Sequence, residues 1–352
     1  METPADLGYR MPAEWEPHAG CLMVWPVRGD LWGDRLGDAK REYAGVAVAV
    51  AAFEPVVMVC PPGAAGDVRR HCGDAVTVLE LPVDDSWARD SGPLFVTRDD
   101  GTAAVVDFAF NAWGGRWHPY ADDDRLAGRV AERLGLQAFR APMVLEGGAF
   151  LVDGEGTLVT TEQCLLAPNR NPSMSRADME ATLAAYLGVT TVVWLPHGHS
   201  LDTGPEGTDG HVDGVAQYVA PGRLLLEVPA DPASPDHARA RANLAVLAAA
   251  TDAAGRPFAV ATVDPGPEPE VSYVNHYLAT GAVVVPTTGA AGDDAALEAL
   301  AAVYPDRRIV GVPAATIAFG GGGPHCITQQ VPAGVDLGPL RAGVRPAPRI
   351  LP

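Results

Sequence analysis

The sequence predicts an α/β protein built as a cyclic repeat, in which one helix and two or three strands recur about five times. Two observations carry this. Five stretches return alanine, leucine or valine at three- and four-residue intervals over helical lengths, and short β-branched runs bounded by Gly, Pro and Asp lie between them. The helix starts then recur every ~53 to 61 residues over the last four, after a longer first interval. That regularity fits a ring of repeats better than an ordinary doubly wound sheet.

Taken in order, the helices are expected at Asp38 to Phe53, Asp122 to Leu134, Ser175 to Leu187, Pro235 to Asp252 and Asp293 to Tyr304. Most open on Asp or Ser, which supply acceptors for the orphan N–H groups of a first turn. The strand candidates are "VVMVCP", "VTVLELP", "AVVDFAF", "GAFLVD", "TLVTTEQCLL", "TTVVWLP", "VAQYVAP", "RLLLEVP", "FAVATVD", "YLATGAVVVPTT", "RRIVGVPA" and "CITQQV". "VDPGPEPEVSY" is acidic and proline-rich, but a strand-like run follows at once, so it is read as a surface loop. The expected organisation is one catalytic domain over residues 1–340 and a proline-rich tail over 341–352.

Composition limits the function classes. At 352 residues and 47% apolar, the chain can bury a large core. The 25 basic against 44 acidic residues give a net charge of -19, which argues against nucleic acid and anionic membrane as partners and favours cationic ones. Five scattered cysteines and no CxxC pair suit a reducing compartment rather than a disulfide framework. With no leader-like start and no apolar run of spanning length, the expected location is the cytoplasm.

Five short stretches set reactive side chains against glycine: "DDSWARDSGP", "LEGGAF", "LPHGHS", "GTDGHVDG" and "GGGGPHC". Each lies where a strand candidate begins or ends, the usual place for functional loops. Cys60 and Cys164 fall in apolar runs and read as small buried hydrophobes, whereas Cys326 follows four glycines whose N–H groups are free to stabilise a thiolate; it is the candidate nucleophile. His211 and Asp213, two residues apart, would face one side of an extended segment, which makes His211 the candidate acid/base. His325 directly precedes Cys326 and on extended backbone would point away from the thiol. Asp90 and Asp213, with Glu146 in support, bring like charges to one cleft, a costly arrangement unless a cation joins them. A guanidinium suits, because its planar fork of donors can be clamped by two carboxylates from different edges. Trp87, Trp113, Trp117 and Trp15 could wall a channel for an alkyl stem, and Asp84 is either a further substrate contact or a surface ion-pair partner. A second reading stays open at this level: His197, His199, His211 and Asp213 have the spacing of a metal hydrolase, though that leaves Cys326 unexplained.

"MPAEWEPHAGCLMVWP", "WARDSGP", "LEGG", "NRNPSMSR", "TDGHVDG", "SYVNHYLATGAVVVP" and "GGGGPHCITQQ", in this order from about Met11 to Pro332, resemble the agmatine deiminases of the guanidino-group-modifying superfamily. The resemblance implies a five-bladed α/β propeller, the pentein fold, with ββαβ-type repeats around a central active site. It implies Cys326 as nucleophile, His211 as general acid/base, Asp90 and Asp213 as guanidinium-binding carboxylates, and Glu146 either orienting His211 or holding the site in place. It calls for no cofactor or metal, and for hydrolysis of agmatine to N-carbamoylputrescine and ammonia, a step toward putrescine. Members of the superfamily often pair as homodimers, but no contact surface is legible here. Gly214, Gln217, Gly323 and Pro324 depart from the usual motif residues, which leaves other small guanidine compounds open as substrates, and an amidinotransferase or a turnover-free polyamine binder as alternatives.

Overall fold

The computed structural model describes residues 2–204, 207–266 and 271–341. The expected tail after residue 341 lies outside the described residues, as does part of the "VDPGPEPEVSY" loop. Among the described residues, sixteen strands form five small sheets. In chain order they are β1 (His18–Val24), β2 (Val56–Cys60), β3 (Thr77–Glu80), β4 (Leu94–Thr97), β5 (Ala103–Ala109), β6 (Ala138–Val144), β7 (Phe150–Val152), β8 (Thr157–Thr161), β9 (Thr191–Leu195), β10 (Ala216–Ala220), β11 (Arg223–Glu227), β12 (Ala259–Val263), β13 (Tyr277–Ala279), β14 (Ala282–Thr287), β15 (Arg308–Pro313) and β16 (Thr328–Pro332).

Four sheets repeat one rule: β4-β5-β6, β7-β8-β9, β10-β11-β12 and β13-β14-β15 each pair their first two strands antiparallel and their last two parallel. The antiparallel pair needs only a tight turn, such as Thr280-Gly281 between β13 and β14, where Gly281 takes a φ of 78°. The parallel pair needs a crossover, which the helices α2 (Leu126–Leu134), α3 (Arg176–Leu187), α4 (Pro235–Ala249) and α5 (Asp293–Val303) supply. In the remaining sheet the rule closes on itself: β16 pairs antiparallel with β1, from His18 opposite Pro332 to Met23 opposite Thr328, and helix α1 (Leu36–Ala51) leads to the parallel β2. The two ends of the chain thus complete one blade and shut the ring. This blade also carries an extra helix, Ala65–Cys72, and the parallel strand β3, which explains the longer first interval in the sequence.

The five expected helices form, with their ends adjusted for identifiable reasons. Ser175 caps α3 through a reciprocal capping box with Asp178. The second helix starts at Leu126 rather than Asp122, because Asp123 turns inward and accepts the Asp84 and Asp85 N–H groups at 2.8 and 3.2 Å. "TLVTTEQCLL" is not one strand: β8 stops at Thr161, whose hydroxyl accepts the Cys164 N–H at 3.1 Å and caps the helical turn Glu162–Leu165. The apolar core lies between helices and sheets, as where Leu183 and Leu187 of α3 meet Met143 and Phe150, all essentially unexposed. Among the described residues, no helix is long and apolar enough to cross a membrane.

Candidate active site

Each blade contributes the segment that enters its first strand. Asp90 lies in the helical turn Ala88–Ser91 before β4, Glu146 before β7, His211 and Asp213 before β10, Asn275 before β13, and His325 with Cys326 before β16. Repetition of one chain path five times brings these loops together. Gly148 N–H donates to Asp90 Oδ1 at 2.9 Å, and a Cβ placed on Gly148 would meet His211 Nδ1, Asp213 Oδ2 and Asp90 Oδ1 at 2.7 to 2.9 Å. The second glycine of "EGG" therefore marks the point where three polar side chains converge.

His211 stands among the carboxylates. Its Nδ1 lies 3.9 Å from Asp90 Oδ1 and 4.0 Å from Asp213 Oδ1, and its Nε2 lies 3.8 Å from Glu146 Oε2. These separations give strong attraction but no good hydrogen bond, so the buried Nε2 has no partner among the described residues. The backbone of this loop is fixed by Asp202, whose Oδ2 accepts the N–H groups of Gly210 and His211 at 2.9 and 3.1 Å. Glu146 in turn is held by Arg170, whose Nε donates to Oε1 at 2.6 Å while the same guanidinium reaches Asp209 and the Thr208 carbonyl.

Cys326 opens on a cavity of about 390 Å³ that it lines together with His211, Asp213, Asn275, Ser272 and Gly320–Gly322, while Leu201 and Phe319 stand exposed at its wall. The Cys326 Sγ lies 3.5 Å from Asp213 Oδ2, and Asn275 Nδ2 donates to it at 3.1 Å. Behind His211 sits a second thiol: ligand atoms of Cys164, Glu146 and His211 all lie within 4.8 Å of one another, but Cys164 is fully buried and does not line the cavity.

Electrostatics set the resting protonation. Burial and the neighbouring Asp213 and Asp90 charges push the Cys326 thiol well above its usual range, against the opposing Gly323 N–H and Asn275 amide. Burial would depress His211, yet Asp90 first, then Cys164 and Glu146, raise it well above the ordinary imidazole value. Burial raises Asp90 to about 6, partly relieved by His211 and reinforced by Asp213 and Glu146. Asp213 is buried too, but its hydrogen bond to His325 and the charges of His325, His211 and Arg89 keep its carboxyl below the usual value. These influences favour a neutral Cys326 thiol and a protonated His211 imidazole among the carboxylates.

Several expected contacts fall elsewhere. Trp15 is a correction: it packs on Tyr218 with ring centroids 5.8 Å apart, at the seam of two core clusters rather than in the cavity. Asp84 is another, because its Oδ2 accepts the Asp122 N–H at 2.8 Å and shapes a loop. Trp113 acts on the site through its Nε1, which donates to Asp90 Oδ2 at 2.9 Å. Trp87 stacks on Trp32 and lies behind Gly322, where a Cβ would come 2.5 Å from its ring and 3.0 Å from the thiol. Of the motif departures, Gly214 lines the cavity. Gln217 instead turns away and donates to Glu14 at 3.4 Å. The residues of the metal alternative are not the group that converges: His199 lines the cavity with His211 and Asp213, but its Nδ1 accepts the Leu201 N–H and its Nε2 faces Asp236. The group that does converge, Glu146 with Cys164 and His211, already has the Arg170 cation on Glu146. Asn275, Asp202, Arg170 and Glu14 have no role in the sequence reading, although Asn275, Arg170 and Glu14 sit inside the quoted motifs.

The Porphyromonas-type peptidyl-arginine deiminase profile matches residues 10–332. A Streptomyces coelicolor protein provisionally named an agmatine deiminase is 42% identical, over 92% of this chain and 99% of its own length. A Listeria monocytogenes protein provisionally named agmatine deiminase 2 is 40% identical, over 94% and 96%. The structure of agmatine deiminase from Enterococcus faecalis superposes with a TM-score of 0.88 at 36% identity, covering 94% of this chain and 98% of that one. Taken with the pentein arrangement of the blades and the thiol and imidazole at their meeting point, these matches show that the chain belongs to the agmatine deiminase family of the guanidino-modifying superfamily and is an enzyme of the cysteine-nucleophile, histidine-assisted kind.

Proposed function

We propose that this enzyme hydrolyses agmatine to N-carbamoylputrescine and ammonia, with Cys326 as the nucleophile, His211 as the general acid/base and Asp90 and Asp213 as the carboxylates that clamp the guanidinium. The carrying observation is that Cys326 is the thiol on the cavity wall, 3.5 Å from Asp213 Oδ2, in a cavity that His211 also lines. The guanidinium carbon is resonance-stabilised and needs a polarizable nucleophile held in line. A bound cation between Asp90 and Asp213 offsets the two charges that keep the thiol protonated, so Cys326 releases its proton to solvent through the cavity as substrate settles. The thiolate forms a C–S bond, and the His211 imidazolium gives its proton to the amino group, which departs as ammonia with cleavage of the C–N bond. Water enters in its place, His211 takes one of its protons as the oxygen bonds to carbon, and collapse of the second adduct breaks the C–S bond, passes the remaining hydroxyl proton to the departing sulfur and leaves the ureido product. Glu146, tethered by Arg170, holds the imidazolium from behind.

The choice of agmatine over arginine rests on charge. Among the described residues lining the cavity there is no Lys or Arg, while Asp202 and Asp213 are both there. An ammonium-tailed guanidine meets no repulsion in such a wall, whereas the carboxylate of arginine would be left without a partner. Ammonia release from agmatine, arginine, 4-guanidinobutyrate and a peptidyl arginine is expected to favour agmatine in kcat/KM by at least about 100-fold. Comparable values for arginine would remove agmatine as the substrate.

The same assay carries a pH prediction. Asp90 must be ionised to hold the cation, and its carboxyl titrates at about 6 in the free enzyme. The kcat/KM for agmatine is therefore expected to fall as pH drops through about 6, with the limb set by free enzyme rather than by substrate, whose guanidinium stays charged throughout. A profile flat down to pH 5 would refute it. The cysteines are all unpaired, which supports a reducing, cytosolic setting.

A further inference from the structure

We infer that His325 is a positioning residue for the reaction: it spans Glu14 and Asp213 and thereby aims and keeps ionised the carboxylate that grips the guanidinium. The inference rests on the reading of Asp213 as a guanidinium-binding group. His325 is completely buried and does not line the cavity. Its Nδ1 lies 2.8 Å from Asp213 Oδ2, and its Nε2 lies 2.9 and 3.0 Å from the two oxygens of Glu14. Both ring nitrogens thus face carboxylates, an arrangement that only the doubly protonated imidazolium satisfies.

The surroundings are built for that charge. Glu14, from the segment preceding β1, is fixed on its other side by Arg89, whose Nη1 donates to Oε1 at 3.1 Å and to Gln330 Oε1 at 2.8 Å. Arg89 Nε also donates to the His325 carbonyl at 3.3 Å, so the turn that carries Asp90 is tied to the segment that carries Cys326. The charged or titratable groups facing His325 are Glu14, Asp213 and Arg89, with His276 farther off and held down to about 4, hence neutral. Against burial and the Arg89 charge, the two carboxylates raise His325 above the usual imidazole value. Asp213 Oδ2 is also the carboxylate oxygen 3.5 Å from the thiol, so whatever turns this carboxylate changes both the clamp and the distance to the nucleophile.

Side-chain geometry provides the test. Asn presents an amide nitrogen near the place of Nδ1, and Gln presents one near the place of Nε2. His325→Asn keeps a donor to Asp213, while His325→Gln keeps one to Glu14 and leaves Asp213 Oδ2 unpaired. We expect kcat/KM for agmatine to fall about 30- to 100-fold in the Gln variant and less than about tenfold in the Asn variant. Both lose the positive charge, so the Asp213 carboxyl rises in each, while Asp90, which titrates higher, still sets the acid limb; the kcat/KM gap between the two variants is therefore the readout. A purely structural histidine would lower the melting temperature in both variants and leave their kcat/KM alike. Asp213→Asn, run alongside, separates the two levels of the reading. If it retains more than a tenth of wild-type turnover, Asp213 is not the clamp and the inference goes with it. If it is inactive while both His325 variants match wild type within threefold, the clamp stands and the role given to His325 is overturned. Should the His325 variants fail to fold, Glu14→Gln is measured instead: losing that carboxylate lowers the His325 pKa, so the basic limb should move to lower pH, and an unmoved limb would equally overturn the inference.

Discussion

Cys326→Ala is expected to lower agmatine turnover by at least about 10⁴-fold, whereas Cys164→Ala keeps kcat within about tenfold of wild type. The contrast matters because one thiol lines the cavity together with His211 and another is grouped with the same imidazole away from the cavity. Cys164 shares a cluster with His211 and Glu146, and His211 and burial bear on it much as on a catalytic sulfur. What separates them is access. Cys326 borders the cavity, next to the Asn275 amide and the Gly323 N–H that can stabilise its anion, while Cys164 is sealed beneath the imidazole with the Thr208 carbonyl near its sulfur at 3.7 Å. A nucleophile must reach a carbon held in the cavity, and a sulfur behind the acid/base cannot. Ammonia release measures the turnover, and acid quench of wild type during turnover should trap an amidino adduct on the peptide containing Cys326. Label on the Cys164 peptide, or survival of turnover in Cys326→Ala, would reverse the assignment of the two cysteines.

The fold was legible where local chemistry repeats and obscure where it does not. Helix α3 announces itself by Ser175 and Asp178 at one end and Gly188 at the other, and its Met179, Leu183 and Leu187 fall on one buried stripe. Strand β6 hides because Arg140 and Pro142 interrupt its pattern and only alternate positions near its end are buried. Strand β1 hides for another reason: its partner β16 is more than 300 residues away, and ring closure leaves no local trace. The site divides in the same way. Asp90, Glu146, His211, Asp213 and Cys326 stand out as reactive groups against glycine, and the structure brings all five to one place. Trp15 could not be placed from sequence, since an indole at a seam between blades and one lining a cavity look alike. Glu14 and His325 could not be paired, because a contact across 311 positions is visible only once the ring is built.

Asp90→Asn should move two measurements in opposite directions. Turnover is expected to fall about 10³-fold, because the amide keeps the shape of the side chain but removes one of the two charges that hold the cation. The same substitution removes a charge that, after burial and Asp213, keeps Cys326 protonated. Its thiol pKa should therefore drop, and alkylation of the ligand-free enzyme by iodoacetamide at a fixed pH near neutrality should become faster, not slower. Iodoacetamide is uncharged, so the change in rate reports the thiolate fraction rather than attraction of the reagent. Local damage to the site would tend to lower turnover without this gain. If turnover falls and alkylation does not accelerate, Asp90 grips the substrate but does not hold the thiol in its neutral form. The binding of the cation could then not be what releases the proton of Cys326, and His211, already carrying its own proton and raised by Asp90, would be a poor substitute acceptor. An increase in alkylation accompanied by loss of turnover would tie substrate binding and nucleophile activation to one carboxylate.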